Sequence, residues 1–177
     1  MVATVDNFER SKEFFESGDI LNTIESYEKA IEHIDRSKSK QKDEFIKFLN
    51  RLLKHCREKN LLSEEAMVLR AIGRTYSKFR EHAEGLKYSY QALKIQKKLG
   101  KKLDIAQSLE FLAEDLEVPG RYDDCIEHFS EAADIYHELG KLRKEKEIRK
   151  EISRLKQFSK EILEDEYILH KFNVDKF

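Results

Sequence analysis

Apolar residues recur along this chain at intervals of three and four, the spacing that places side chains on one face of an α-helix. One such stripe runs through Ile20, Ile24, Tyr27 and Ile31, and similar stripes follow almost to the C-terminus. Regular alternation of apolar and polar residues, which is typical of β-strands, does not occur over any comparable length. The pattern therefore predicts an all-α protein of about eight helices.

Residues that end or begin helices divide these stripes. Gly100 follows a helical segment, and a glycine in the left-handed conformation commonly ends a helix. Pro119 stops another helix, because proline cannot continue one. Ser63, and Asp104 with Gln107, resemble side-chain caps at helix N-termini. The predicted parts of a single domain, 1–177, are a first hairpin at 4–36, an extra helix at 40–59, helical hairpins at 63–100 and 103–140, and a C-terminal helix at 141–172.

The two central hairpins are copies of one unit. A shift of the chain by 40 residues places Gly73 on Ala113 and Gly100 on Gly140. A glycine inside a helix costs roughly 1 kcal/mol relative to alanine, so Gly73 predicts a close approach of two helix backbones. On this interpretation a change of Gly73 to leucine is destabilising, whereas a change to alanine is nearly neutral.

The repeated residues resemble the tetratricopeptide repeat, whose signature is W-x2-L-G-x2-Y followed by A-x3-F and a further alanine. The matching positions are Leu69, Ile72, Gly73, Tyr76, Gly85, Ser89 and Ala92 in one copy, and Leu109, Leu112, Ala113, Leu116, Cys125, Phe129 and Ala132 in the next. The period of 40 residues is longer than the usual length of about 34, as in the long-period variety of the family. The resemblance implies a right-handed solenoid of antiparallel helix pairs, capped by the long C-terminal helix.

The third helix does not fit a strict alternation of first and second helices. The motif spacing makes helices 1, 4 and 6 the first helices of their hairpins, with Phe8 and Lys12 as the positions of helix 1 that face the groove. The helix at 40–59 is then either an added helix between the first two units, which we favour, or a second partner of helix 4.

First helices of tetratricopeptide arrays line a concave groove that binds peptides. The resemblance implies the groove residues Met67, Arg70, Arg74 and Lys78, with Ser77, in one unit, and Gln107, Glu110, Glu114 and Glu117, with Val118, in the next. One wall is basic and the next is acidic. Either the groove accepts a peptide that carries both charges, or Arg70 pairs with Glu110 and Arg74 with Glu114 inside the protein. The second interpretation weighs more, because charged faces are commonly self-paired.

Composition narrows the classes of function. Thirty-four Lys and Arg against 35 Asp and Glu give a net charge of -1, so nucleic-acid binding is unlikely despite basic stretches at 36–60 and 141–160. The sequence predicts no membrane span, cofactor, metal site or enzymatic activity. Cys125 with His128 could form a metal pair, but a buried core thiol is the favoured interpretation. Cys56 and Cys125 are expected to be free thiols of a cytoplasmic protein.

The C-terminal helix carries an apolar residue at every seventh position, namely Ile148, Leu155, Ile162 and Leu169. Such a stripe either caps the last repeat or forms a coiled-coil seam with a second copy.

Taken together with the groove, the sequence predicts an adaptor that binds a peptide or helix of another protein in that groove. The alternatives are a homo-oligomer that associates through the C-terminal helix and, less favoured, a nucleic-acid accessory protein.

Overall fold

The computed structural model describes residues 2–32 and 39–174, with the surroundings of side chains at 6–32 and 40–162. These residues form eight α-helices and no strand, so the all-α prediction is confirmed. The helices are α1 (Val2–Glu16), α2 (Ile20–Glu32), α3 (Ser39–Glu58), α4 (Leu62–Lys78), α5 (His82–Leu99), α6 (Lys102–Glu117), α7 (Tyr122–Glu138) and α8 (Leu142–Val174).

From α4 onward the helices form two layers of a solenoid. The even-numbered helices α2, α4 and α6 pack side by side. The odd-numbered α5 and α7 are linked by a contact of 3.2 Å between the Tyr90 hydroxyl and His128 Nε2, and by an ion pair between Lys97 and Glu131. α4 packs against both α3 and α5.

An aromatic cluster sets the position of the first three helices. Phe8 on α1 lies 4.3 Å, between ring centroids, from Phe45 on α3, and Tyr27 on α2 lies 5.6 Å from the same ring. The Tyr27 hydroxyl is 2.6 Å from the hydroxyl of Thr75, which places α2 beside α4. The prediction that helix 1 supplies the first groove wall is therefore wrong. Phe8 is buried in the cluster, and Lys12 forms an ion pair with Glu44 on α3.

Six turns within the described residues share one backbone geometry. Each contains a residue in the left-handed conformation, and these residues are Gly18, Asn60, Arg80, Gly100, Gly120 and Gly140. In one example, the Gly100 N–H donates to the Lys97 carbonyl and the Lys101 N–H donates to the Gln96 carbonyl, both at 3.3 Å. This pair of hydrogen bonds is the Schellman motif. The predicted left-handed C-cap at Gly100 is confirmed.

The predicted N-terminal caps at Ser63 and Asp104 are wrong. The N-cap residues are Leu61 and Lys101, and neither makes a side-chain capping bond. The residue after each left-handed position closes the Schellman motif, and its own carbonyl accepts the first hydrogen bond of the next helix; the Glu65 N–H donates to the Leu61 carbonyl at 2.8 Å. The compact turn therefore starts the helix before a side-chain cap is reached.

Gly73 lies where α4 and α5 cross almost backbone to backbone. A Cβ atom built on Gly73 would lie 3.0 Å from the Gly85 carbonyl oxygen and would collide with the Ser89 hydroxyl. A Cβ atom on Gly85 would lie 2.9 Å from the Gly73 carbonyl oxygen. The predicted close approach is confirmed. The geometry opposes the expectation that alanine is nearly neutral at Gly73, because a methyl group would displace the Ser89 hydroxyl and crowd the Gly85 carbonyl oxygen.

The C-terminal helix covers the end of the last hairpin. α8 packs against α7, and Ile148, Ile152 and Leu155 are buried there. Farther along, Phe158 makes an edge-on contact with Tyr122 on α7, with ring centroids 5.5 Å apart. The side chains of Leu169 and of the predicted apolar end at 167–172 lie outside the described residues. None of the described helices has the length and apolar character that a membrane span requires.

Candidate functional site

A groove lies along α4 and α6 and contains two connected depressions. The large depression encloses about 660 Å³ and the small depression about 210 Å³. They share Arg74, Phe111 and Glu114. The large depression is also lined by Ser77, Lys78, Arg80, His82, Asp115 and Val118, and the small one by Glu28, Arg70, Gln107, Glu110, Tyr136 and Lys144. The groove therefore collects side chains from α2 and from α4 to α8, as well as from the α4–α5 turn.

Six of the eight residues proposed for the groove from the sequence line these depressions. They are Arg70, Arg74, Lys78, Gln107, Glu110 and Glu114. Met67 is partly buried and packs against the N-terminal part of the core instead. Glu117 forms an ion pair of 2.9 Å with Arg154 on α8. The structure therefore places six of the predicted residues in the groove, whereas Met67 and Glu117 make contacts elsewhere.

The two basic residues in the middle of α4 are paired with α2. Arg70 is only 7% exposed, and its guanidinium donates to Gln107 Oε1 at 3.0 Å and to Glu28 Oε1 at 3.3 Å. Arg74 lies 3.7 Å from Glu28 and stacks over the Phe111 ring, 4.4 Å from its centroid. A guanidinium over an aromatic face is a favourable cation–π arrangement. One partner of both arginines, Glu28, therefore lies outside the two central hairpins. Their other partners, Gln107 and Phe111, are uncharged and could not be predicted from the pattern of charges.

The predicted ion pairs Arg70–Glu110 and Arg74–Glu114 do not form. Glu110 instead accepts a hydrogen bond from the Tyr136 hydroxyl on α7 and lies 3.2 Å from Lys144 Nζ on α8. Positions that correspond in the repeat are not the closest pairs here, because long side chains reach a turn up or down the neighbouring helix. The bases of α4 therefore pair towards the N-terminus, and the acid Glu110 pairs towards the C-terminus.

Asp115 is a nearly buried carboxylate that is held inside the protein. The residue is 8% exposed. It accepts a hydrogen bond of 2.6 Å from Ser77 Oγ and lies 3.2 Å from His82 Nδ1. Burial raises the pKa of Asp115 above its ordinary value, and the contacts with Ser77 and His82 oppose that rise. These contacts tie α6 to the C-terminal end of α4 and to the start of α5, and they occupy both carboxylate oxygens.

Three charged groups of the large depression have no hydrogen bond or ion pair to any described residue. They are Lys78, Arg80 and Glu114; Arg80 and Glu114 are exposed, and Lys78 is half-buried. Lost hydration, followed by repulsion from Glu110 and Asp115, raises the pKa of Glu114. Since the folded protein holds this proton more tightly than the unfolded chain does, ionisation of Glu114 lowers stability as the pH rises through the interval between the two pKa values.

The large depression also contains exposed apolar surface. Val118, at the C-terminal end of α6, is 64% exposed, and the Phe111 ring lines the depression beside it. Unpaired charges of both signs therefore surround a small apolar area. Such an area can accept one apolar side chain, while the charges bind polar groups on either side of it.

Sequence reasoning missed several residues of the groove. Asp115 belongs to the row Gln107, Phe111, Asp115, whose members are four apart and therefore share one helix face. Extending that row from Gln107 would have found it. Glu28 and Arg80 had no comparable signal, because the first lies on a helix assigned to the other layer and the second lies in a turn.

The fold resembles that of known helical-repeat proteins. The apo form of RapI aligns with 98% of this chain and 70% of its own, at 17% identity and a TM-score of 0.58. This chain has a TPR-like helical-repeat fold. BtubC (BKLC) from P. vanneervenii aligns with 85% of the chain and 78% of its own (13% identity, TM-score 0.49), and MamA with 88% of each chain (15% identity, TM-score 0.38). No protein-family model and no curated protein sequence matches the chain.

Proposed function

We propose that this protein is an interaction adaptor that binds an extended or helical segment of another protein in the groove between α4 and α6. One observation carries the proposal. Lys78, Arg80 and Glu114 line the large depression without a partner among the described residues, and the same depression contains the exposed side chain of Val118 and the half-buried ring of Phe111.

The rest of the groove is already satisfied internally. Arg70 bonds to Gln107 and Glu28, and Glu110 bonds to Tyr136 and Lys144. These internal bonds pair each charged residue that lines only the small depression with a neighbour. A partner would therefore gain most of its polar contacts in the large depression, where charged groups still lack partners.

The dimensions of the groove suit a short segment. The residues of α4 that line the two depressions run from Arg70 to Lys78, so the groove along this helix is about 12 Å long at 1.5 Å per helical residue. An extended chain covers that length with about four residues at roughly 3.3 Å each. The proposed ligand is therefore a peptide segment of this length within another protein. The proposal involves no catalytic step.

Binding of immobilised peptides tests this function. An array of random twelve-residue peptides is probed with the wild-type protein and with the Lys78→Glu variant. We expect the wild type to bind a subset of peptides and the variant to lose most of that subset, because one unpaired cation of the groove becomes an anion. Substitution of Arg70 is unsuitable, since that side chain is buried and its loss would change stability.

The Lys94→Glu variant is the matched control. Lys94 is exposed on α5, in the layer of odd-numbered helices, so the net charge changes by the same amount outside the groove. We expect this variant to bind the same peptides as the wild type. Binding that responds equally to the two substitutions, or a wild-type protein that binds no peptide, would contradict the proposed function.

A further inference from the structure

Arg80 occupies a backbone conformation that an arginine rarely adopts. Its φ is +65°, in the left-handed region, where a side chain with a Cβ atom crowds the backbone. Four of the six described turns of this geometry contain glycine at the same position, and a fifth contains Asn60. Asparagine tolerates the left-handed region better than arginine does. Arg80 is therefore the exception among equivalent positions.

Arg80 lies at the groove, where its charged side chain is accessible to a ligand. Its side chain lines the large depression together with the side chain of Lys78, which precedes it by two positions in the sequence. Neither cation has a hydrogen bond or an ion pair to a residue that the structure describes. The corresponding turn between α6 and α7 contains Gly120, so the second cation is found on only one wall of the groove. Residues held in unfavourable backbone conformations are concentrated at functional sites.

The nearby carboxylate of Asp115 does not pair with the two cations. Asp115 is nearly buried, and Ser77 and His82 already occupy its two oxygens. Val118 corresponds to Lys78 in the 40-residue repeat and lines the same depression as the two cations. Its exposed side chain provides apolar surface there.

We propose that Lys78 and Arg80 clamp the carboxylate of an aspartate or glutamate side chain in the partner segment, while the neighbouring apolar residue of that segment packs on Val118. This inference rests on the proposed function and specifies its ligand. Lysine and arginine donors together supply charge-assisted hydrogen bonds to both oxygens of a carboxylate.

The unpaired carboxylate Glu114 specifies the next position of the ligand. Glu114 lies four residues before Val118 on α6, about 6 Å away along the helix axis. An extended segment covers that distance in about two residues. The partner segment therefore carries a basic residue about two positions beyond its apolar residue, on the side away from its acidic residue.

The Arg80→Gly variant tests the clamp without damaging the fold. Glycine adopts the left-handed conformation without strain, so we expect the melting temperature to be unchanged or higher by up to about 3 °C. For the peptides selected on the wild-type array, we expect binding to weaken about five- to tenfold. A change of the acidic residue in those peptides to its amide should weaken wild-type binding similarly and should have little further effect on the variant.

The Asn60→Gly variant is the matched control. It makes the same kind of substitution in the turn between α3 and α4, and Asn60 does not line either depression. We expect its stability to change in the same direction as that of Arg80→Gly, with no change in peptide binding. Weaker binding by both variants would show that turn geometry, and not the Arg80 charge, is responsible, and would overturn the inference.

Two further outcomes separate this inference from the proposed function. If the wild type binds peptides through Lys78 but shows no dependence on an acidic side chain or on Arg80, the clamp is overturned and the groove function stands. If the wild type binds no peptide, both fail. Peptides are compared with free and amidated C-termini, because binding that requires the free terminus would assign the clamp to a terminal carboxylate and overturn the side-chain proposal.

Discussion

Single residues decide how closely the helices of this protein approach each other. Gly73 and Gly85 face one another across the crossing of α4 and α5. A Cβ atom built on either glycine would lie about 3 Å from the carbonyl oxygen of the other, which is close enough to clash. In the following hairpin the corresponding positions are Ala113 and Cys125, which are both buried. The first crossing therefore depends on glycine at both positions, whereas the second accommodates larger side chains.

We expect Gly73→Ala to lower the free energy of unfolding by about 1–3 kcal/mol, the usual cost of overpacking a core. The gain in helix propensity of roughly 1 kcal/mol from alanine is too small to compensate fully, because the added methyl group meets Ser89 and the Gly85 carbonyl oxygen. Chemical denaturation followed by circular dichroism measures the change.

A double-mutant cycle with Ser89→Ala identifies the contact responsible. Removing the Ser89 hydroxyl takes away the nearest atom to the new methyl group, so Gly73→Ala should cost less in the Ser89→Ala background. Part of the cost should remain, because the Gly85 carbonyl oxygen stays in place. Gly73→Ala with wild-type stability would mean that the helices do not cross as closely as described.

At the scale of helices and turns, one connection is used repeatedly. The left-handed residues at positions 60, 80, 100, 120 and 140 recur every 20 residues, which gives each of α4 to α7 the same start and end. The same turn explains why the side-chain caps predicted at Ser63 and Asp104 are not used. The regular stacking of α4 to α8 thus rests on identical turns as well as on apolar faces.

We expect Gly100→Ala to lower stability by about 1 kcal/mol, or by about 2–4 °C in melting temperature. Nothing lies within 4 Å of a Cβ atom built on Gly100, so this cost would come from the left-handed backbone and not from packing. The Lys98→Ala variant is the control, because Lys98 is exposed near the end of α5 and alanine is a good helix former. Equal stability of both variants would mean that the turn does not require a left-handed residue.

At the scale of the whole molecule, α8 ends the array. Its buried residues Ile148, Ile152 and Leu155 cover α7, while the exposed residues of its described part are mainly charged. A terminal helix with one apolar and one charged face is what a repeat array needs to stay soluble at its end. The described part of α8 therefore favours the capping interpretation over a coiled-coil seam.

We expect removal of residues 159–177 to leave the number of chains per particle in solution unchanged, because the residues that cover α7 are retained. Light scattering on the full and shortened chains measures this mass, and circular dichroism checks that the shortened chain keeps its helices. A full chain with twice the mass of 21.0 kDa, reduced to a single copy by the deletion, would support self-association through the tail instead.

The candidate groove was predictable in part. The repeat placed Arg74, Lys78 and Glu114 on one surface, because corresponding positions of successive hairpins face the same way. It did not identify Glu28 or Arg80, since neither lies within a helix that the motif spacing assigned to the groove. The predicted ion pairs between α4 and α6, Arg70–Glu110 and Arg74–Glu114, were also incorrect. Ion pairs depend on how far the side chains reach between helices and not on their positions in the repeat.

The sequence by itself determined the helices, most of their ends and the need for a close crossing at Gly73. These features depend on local backbone preferences and on the spacing of residues within one segment. Only the tertiary structure decided that α2 stands beside α4, that Arg70 and Arg74 pair with Glu28, and which charges remain unpaired. Those outcomes depend on how the aromatic side chains of α1, α2 and α3 fill the space between helices, and that packing joins residues far apart in the chain.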